Sequence, residues 1–140
     1  MAVKQTFPDT LFVIALINRR DQYHEQADEM ASLYDGQPLI TTDAILLEIG
    51  NAMARAFKPE AVQVIEDLLM SEDVQVVRLT PKLFERAFAL YKSRPDKEWG
   101  LVDCISFVVM QDAGATNALT FDRHFEQAGF QALMRDQTSA

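Results

Sequence analysis

Cysteine is nearly absent from this chain. Cys104 stands alone among 140 residues, so no intrachain disulfide can form. With that one thiol and 2 histidines, a Cys/His zinc site is not available either. Glycine and proline occur 5 times each, and no low-complexity segment, linker or internal repeat is seen. No apolar run approaches the roughly 18 residues needed to span a bilayer. The opening stretch MAVKQTFPDT carries one lysine, and an aspartate precedes the short apolar run 11–17, a poor fit to a secretion signal. These absences predict a protein of the reducing cytoplasm. Positive charge is scarce too: 13 Lys and Arg face 21 Asp and Glu, a net charge of −8. A nucleic-acid binder usually shows a basic patch, and bulk charge argues against one here. The argument weakens if clustered carboxylates hold metal ions, which cancel their charge toward a phosphate. G-x-S-x-G, the P-loop and G-x-G-x-x-G are all missing.

What is present is a globular composition, 49% hydrophobic and 24% charged, at a length that fits one domain over 1–140. Short β-like runs alternate with helical ones. Residues 3–8 read as a strand, as do 38–41, 74–79 (VQVVRL) and 118–121 (ALTF). Thr42 and Asp43 can cap a helix over 43–57, which must stop before Lys58-Pro59. A second helix spans 59–71, with Val62, Ile65, Leu68 and Leu69 at helical spacing. Thr80 and Pro81 open a third, whose stripe of Leu83, Phe84, Ala87, Phe88 and Tyr91 is expected to face the core. Residues 102–112 form a helix closed by Gly114, and 123–128 a short one before Gly129. Tyr23, Ala27, Met30, Ala31 and Tyr34 give another helical stripe. The run 11–17 is all apolar, and periodicity alone leaves strand and helix open. The alternation predicts an α/β domain with a largely parallel sheet, whose sites lie at the carboxyl ends of strands.

Most acids sit among polar neighbours, as Asp28 and Glu29 or Asp96 and Glu98 do. Four do not. Asp9 closes the first β-like run and is followed by LFVIALI. Glu48 lies in AILLEIGNAMA, with Ala44, Ile45, Asn51 and Ala52 as its helix neighbours. Asp103 heads the apolar run DCISFVV. Asp122 follows ALTF directly. Taken singly, Asp9, Asp103 and Asp122 are adequately explained as helix N-caps or turn residues. Glu48 has no such bland account. Jointly, two strand exits, a helix start and a helix face can converge on one cleft. Gathered carboxylates repel unless a cation joins them. A hard ion such as Mg²⁺ or Mn²⁺ suits an all-oxygen site and would serve phosphodiester cleavage.

At these residues the sequence resembles the PIN-domain nucleases, in particular the compact VapC-like toxins of toxin–antitoxin pairs. The resemblance is carried by PDTLFVIALINRRDQYHEQA (8–27), TTDAILLEIGNAMAR (41–55) and LVDCISFVVMQDAGATNALTFDRHFEQAGF (101–130), closing on T-x-D-x-x-F at Thr120, Asp122 and Phe125. It implies a three-layer α/β/α fold around a mainly parallel sheet, and metal-dependent endoribonuclease activity. Asp9 and Asp103 would be the main metal ligands, with Glu48 and Asp122 completing the cluster. Thr10, Asn51, Ser106 and Thr120 would be small polar neighbours. The resemblance makes 11–17 a helix, and it implies an RNA substrate, an inhibiting antitoxin and a homodimer. Two departures stand out: Leu11 where a small polar residue is common, and Pro8 where an apolar strand residue is usual.

Cys104 reads as a buried small residue. His24 and His124 read as polar helix-face residues, with His124 near the rim of the acidic site. Arg19, Arg20, Arg55, Lys58 and Arg123 are available for phosphate contacts, though each is adequately a solvated charge. A second class of function is a non-catalytic binding or signalling module, either a degenerate PIN domain or a receiver-like domain. A receiver normally has an adjacent acidic pair after its first strand and a lysine after its last. Here Pro8 precedes Asp9, and Asp122 is followed by Arg123.

Overall fold

Phe7–Pro8 (β1) is a strand of two residues, yet it is the axis of the sheet. In this computed structural model residues 4–135 are described; residue 3 of the expected first strand and the two ends of the expected 1–140 domain lie outside them. From β1 the chain runs through Thr10–Ile17 (α1), His24–Leu33 (α2), Leu39–Thr42 (β2), Asp43–Met53 (α3), Lys58–Met70 (α4) and Val74–Val77 (β3). It continues through Pro81–Ser93 (α5), Leu101–Ala113 (α6), Asn117–Leu119 (β4), Arg123–Gln127 (α7) and Gln131–Ala132 (β5).

All strand pairs are parallel: β1 with β4, β4 with β5, and β2 with β3. One parallel bridge, Thr6 to Leu39, joins the two groups, so the strands run in the order β3-β2-β1-β4-β5. The thinness of that joint follows from Pro8. Thr6 points its backbone at β2, accepting from Ile40 N–H and donating to Pro38 O, whereas Asp9 donates to Leu119 O in β4. Strand alternation turns Pro8 back toward β2, where proline has no N–H to give. Its carbonyl instead accepts the Thr41 hydroxyl at 3.3 Å.

Right-handed crossovers put the helices of leftward connections (α1–α4) on one face and those of rightward ones (α5–α7) on the other. The packing follows that division: α1 lies on α2 and α3, and α3 on α4, while α6 lies on α5 and α7. The result is the three-layer α/β/α arrangement. Residues 11–17 are helical, within α1. Thr42 and Thr80 cap their helices through bonds from Ile45 N–H and Leu83 N–H. Gly114 ends α6 at φ +70°, where a side chain would be strained.

Two expected stripes are rotated. In α4 the inward residues are Ala61, Val64, Ile65 and Leu68, while Val62 and Leu69 are exposed. In α5 Leu83 and Ala87 are buried, but Phe84, Phe88 and Tyr91 are 41%, 40% and 46% exposed. Their spacing of four and three residues makes them a second stripe, one residue round from the core stripe, and the three rings stack on one another.

An aromatic chain fixes α6 and α7 to the sheet. Trp99 meets Phe107 edge-on at 5.1 Å, Phe107 meets Phe125 at 5.1 Å, and Phe125 lies 6.2 Å from Phe7 in β1. Phe125, the last residue of T-x-D-x-x-F, is fully buried. Its replacement, Phe125→Ala, is expected to cost about 3–5 kcal/mol of stability by loss of ring burial and the cavity left behind. Urea denaturation measures this; a cost under about 1 kcal/mol would show that the ring does not anchor α7.

Candidate active site

The order β3-β2-β1-β4-β5 reverses direction at β1. Beyond the carboxyl ends of β1 and β4 the connections diverge and leave a crevice. Asp9 leaves β1 into it, and Thr120 to Asp122 leave β4 into it. Glu48 approaches on α3, and Asp103 in the first turn of α6.

These residues are joined in one hydrogen-bonded string. Glu48 Oε1 accepts the Thr10 hydroxyl at 2.5 Å. Thr10 adjoins Asp9, whose Oδ2 accepts the Thr120 hydroxyl at 2.9 Å. Thr120 Oγ1 in turn accepts Asp122 N–H at 3.0 Å. Asp122 Oδ1 caps α7 by accepting His124 N–H at 2.9 Å, and the His124 ring lies 3.0 Å from Asp103 Oδ2 through Nδ1. The sequence-expected Thr10 and Thr120 therefore tie the acids together. Ser106 does not: it is buried, but its hydroxyl donates to Val102 O. Asn51 is exposed on α3, and among the described residues it has no hydrogen bond to the acids.

The N-cap readings divide. Asp122 is a true N-cap. Asp9 occupies the cap position of α1 but makes no side-chain cap bond; its oxygen is committed to Thr120 instead. Asp103 stands three residues inside α6, where Oδ2 reaches back to accept Gly100 N–H at 3.0 Å. Gly100 has no side chain to cap with, and Asp103 supplies the missing acceptor.

His124 belongs to the site more closely than its sequence position suggests. It contacts Asp103, and its Nδ1 lies 3.5 Å from Asp122 Oδ1. The available signal was the spacing Asp-x-His across a helix start, which turns the imidazole back over the capping carboxylate.

The electrostatics are those of acids short of counter-charge. Among the described residues no Lys or Arg forms an ion pair with Asp9, Glu48, Asp103 or Asp122. Asp9 is 4% exposed, and its carboxyl is pushed up to about 7. Burial is the main cause, opposed by the Thr120 bond and reinforced by the charges of Asp103 and Asp122. Asp103 is also raised, chiefly by burial, against the stabilising bonds from Gly100 N–H and His124. Asp103, Asp122 and His124 each offer a ligand atom, all within 4.8 Å of one another. Carboxylates predominate, and the imidazole is bound to a carboxylate in the manner of a residue that orients a ligand. The donor set fits a divalent cation of the hard, oxygen-seeking kind. Cys104, next to Asp103, takes no part: it is buried and its thiol is pushed up to about 11, mainly by burial.

The family model of the PIN domain matches residues 6–131, a span holding all four acids. The chain belongs to the PIN domain family. Over 126 residues it is 32% identical to the 23S rRNA-specific endonuclease VapC20 of Mycobacterium tuberculosis, in the sequences of two strains, covering 89% of this chain and 94% of that protein. The crystal structure of Mycobacterium tuberculosis VapC20, a sarcin-ricin loop cleaving toxin, has a TM-score of 0.80 to this structure. The two are 29% identical, and the match covers 90% of this chain and 96% of that one. The α/β fold of the PIN domain and its parallel sheet are thus those the sequence implied.

Asp9 makes the metal-free PIN domain sensitive to pH. At low pH its carboxyl is protonated folded and unfolded alike. Between the usual 3.8 and about 7 the unfolded chain ionises while the folded carboxyl keeps its proton, so stability falls as pH rises through that window. Above it the loss is constant, on the order of 4 kcal/mol. Thermal melts in chelator across this range should show the decline, and Asp9→Asn should flatten it. Parallel profiles for the two proteins would contradict the burial cost.

Proposed function

We propose that this PIN domain is a metal-dependent endoribonuclease that hydrolyses RNA phosphodiester bonds, and that it is the toxin of a type II toxin–antitoxin pair. The observation that carries the reading is the string Glu48–Thr10–Asp9–Thr120–Asp122–His124–Asp103 at the switch point of the sheet, with its uncompensated acidic charge. Asp9 and Asp103 are the main ligands of Mg²⁺ or Mn²⁺; Asp122 and Glu48 complete the cluster. A bound divalent ion supplies an activated water and stabilises the charge that develops on the phosphate. Thr120 holds Asp9 and the Asp122 backbone in place, Thr10 holds Glu48, and His124 orients Asp103. Burial raises the Asp9 carboxyl to about 7, so a cation bound there would favour its ionised form. The binding-module alternative leaves the cost of burying Asp9 beside two other carboxylates without a use.

The VapC20 relative makes a sarcin–ricin loop hairpin the first RNA to test. The same likeness supports a cytoplasmic protein held in check by a partner protein. The exposed row Phe84, Phe88 and Tyr91 supports a homodimer, since apolar patches of this kind mark contact surfaces.

Purified protein with Mg²⁺ or Mn²⁺ is expected to cleave RNA, and Asp9→Asn or Asp103→Asn to lower the rate on the order of 10²-fold or more, the scale of removing one electrostatic group from a catalytic site. Equal rates in all three proteins would rule the assignment out. Light scattering should give a dimer mass; a monomer throughout the micromolar range would remove that part of the reading.

A further inference from the structure

Arg19 and Arg20 line a cleft at the end of α1 that holds none of the four acids. Arg86, Arg94 and Arg135 are paired with Asp112, Asp96 and Glu126. Lys97 and Arg123 have no ion-pair partner among the described residues, and both face one polar cleft of about 270 Å³. His124 lines the same cleft while its ring contacts Asp103, so the cleft opens directly off the acidic cluster. Two acids share the lining. Asp96 is held by two N–H groups of Arg94 at 2.9 and 3.0 Å, whereas Glu98 is exposed and has no ion-pair partner among the described residues. The cleft therefore holds two cations and one carboxylate without an ion-pair partner among the described residues, with Lys97 also acting on Asp96 through space.

The wall is built rather than incidental. Trp99 is 6% exposed, its Nε1–H donates to Gln127 Oε1 at 3.0 Å, and the Arg94 guanidinium lies over its ring at 5.1 Å. The loop between α5 and α6 is thereby clamped onto α7, so Lys97 from the loop and Arg123 from α7 line one cleft. Lys97 also lines a neighbouring cleft with Lys92, Arg94 and Glu98.

We propose that Lys97 and Arg123 form a subsite for an RNA backbone phosphate beside the scissile one, with the strand leaving the acidic cluster across His124. A strand of repeating negative charge is repelled by a net charge of −8 and needs such a local landing place. The subsite rests on the ribonuclease reading, and it positions substrate without touching the reacting atoms.

The test uses the full chain in an Asp9→Asn background with Mg²⁺, binding a labelled single-stranded RNA across a salt series. Lys97→Ala and Arg123→Ala should each lower the slope of log affinity against log salt by about 0.7, which is about 5-fold weaker binding at 0.1 M salt. Glu98→Gln should tighten binding. Lys82→Ala, in a different cleft with Arg78 and Arg86, should leave the slope unchanged. Thermal melts confirm that each variant is folded. The proposal is overturned if the two slopes stay at the parent value, if Lys82→Ala falls equally, or if the parent binds no RNA. Failure of the ribonuclease reading is distinguished separately, by the absence of RNA cleavage with the native acids and Mg²⁺ or Mn²⁺.

Discussion

The hydrogen bond from Thr120 to Asp9 is the contact on which the site turns. It crosses from the end of β4 to the end of β1, between residues 111 apart in sequence, and it is buried. A carboxylate taken out of water is costly unless it is bonded or neutralised. Asp9 accepts from the Thr120 hydroxyl and the Thr10 backbone, but these do not offset its burial beside two acidic neighbours, and its carboxyl stays raised. A cation at the cluster would remove that cost. The same Thr120 also accepts the Asp122 backbone N–H, so one hydroxyl group sets two of the acids.

The sheet order makes this contact available. Only where neighbouring strands send their connections to opposite faces does a crevice stay open at the strand ends. Here those strands are β1 and β4. β1 is short, and Pro8 deprives it of a ladder bond toward β2, yet its pairing with β4 is intact on the side that carries Asp9. The Phe7–Phe125–Phe107–Trp99 chain then holds α7 and α6 against that edge. Thus the helix starts that carry Asp122, His124 and Asp103 are fixed by apolar packing behind them. Rigid support of this kind is what a site of several like charges requires.

Capping and site-building are compatible uses of one carboxylate. Asp103 closes the open first turn of α6 through Oδ2, and the same oxygen meets His124. Asp122 caps α7 and still faces the cluster. The backbone N–H groups offset part of the repulsion between the acids, and a bound ion would offset the rest. Beside His124, the clamped loop at Trp99 brings Lys97 and α7 brings Arg123 to one cleft, neither ion-paired among the described residues. The site therefore has both signs of charge in separate places, which bulk composition conceals.

The sequence by itself determined the alternation of strands and helices, the caps at Thr42 and Thr80, the stop at Gly114 and the four acids that do not behave as surface residues. Those are local matters of period, turn chemistry and neighbouring polarity. Local pattern did not decide which of two adjacent stripes of α5 faces inward, because residues 83 and 87 and residues 84, 88 and 91 are both helically spaced. It left Ser106 and Asn51 indistinguishable from Thr10 and Thr120, since a hydroxyl or amide is equally able to bond its own helix, solvent or an acid across the crevice. Nor did it place His124 on Asp103, a contact across 21 residues. Tertiary structure decided these, because each depends on what packing brings within hydrogen-bond reach, and it alone brought four separate carboxylates to one crevice, where the buried Asp9 and the half-buried Asp103 are raised, chiefly by burial.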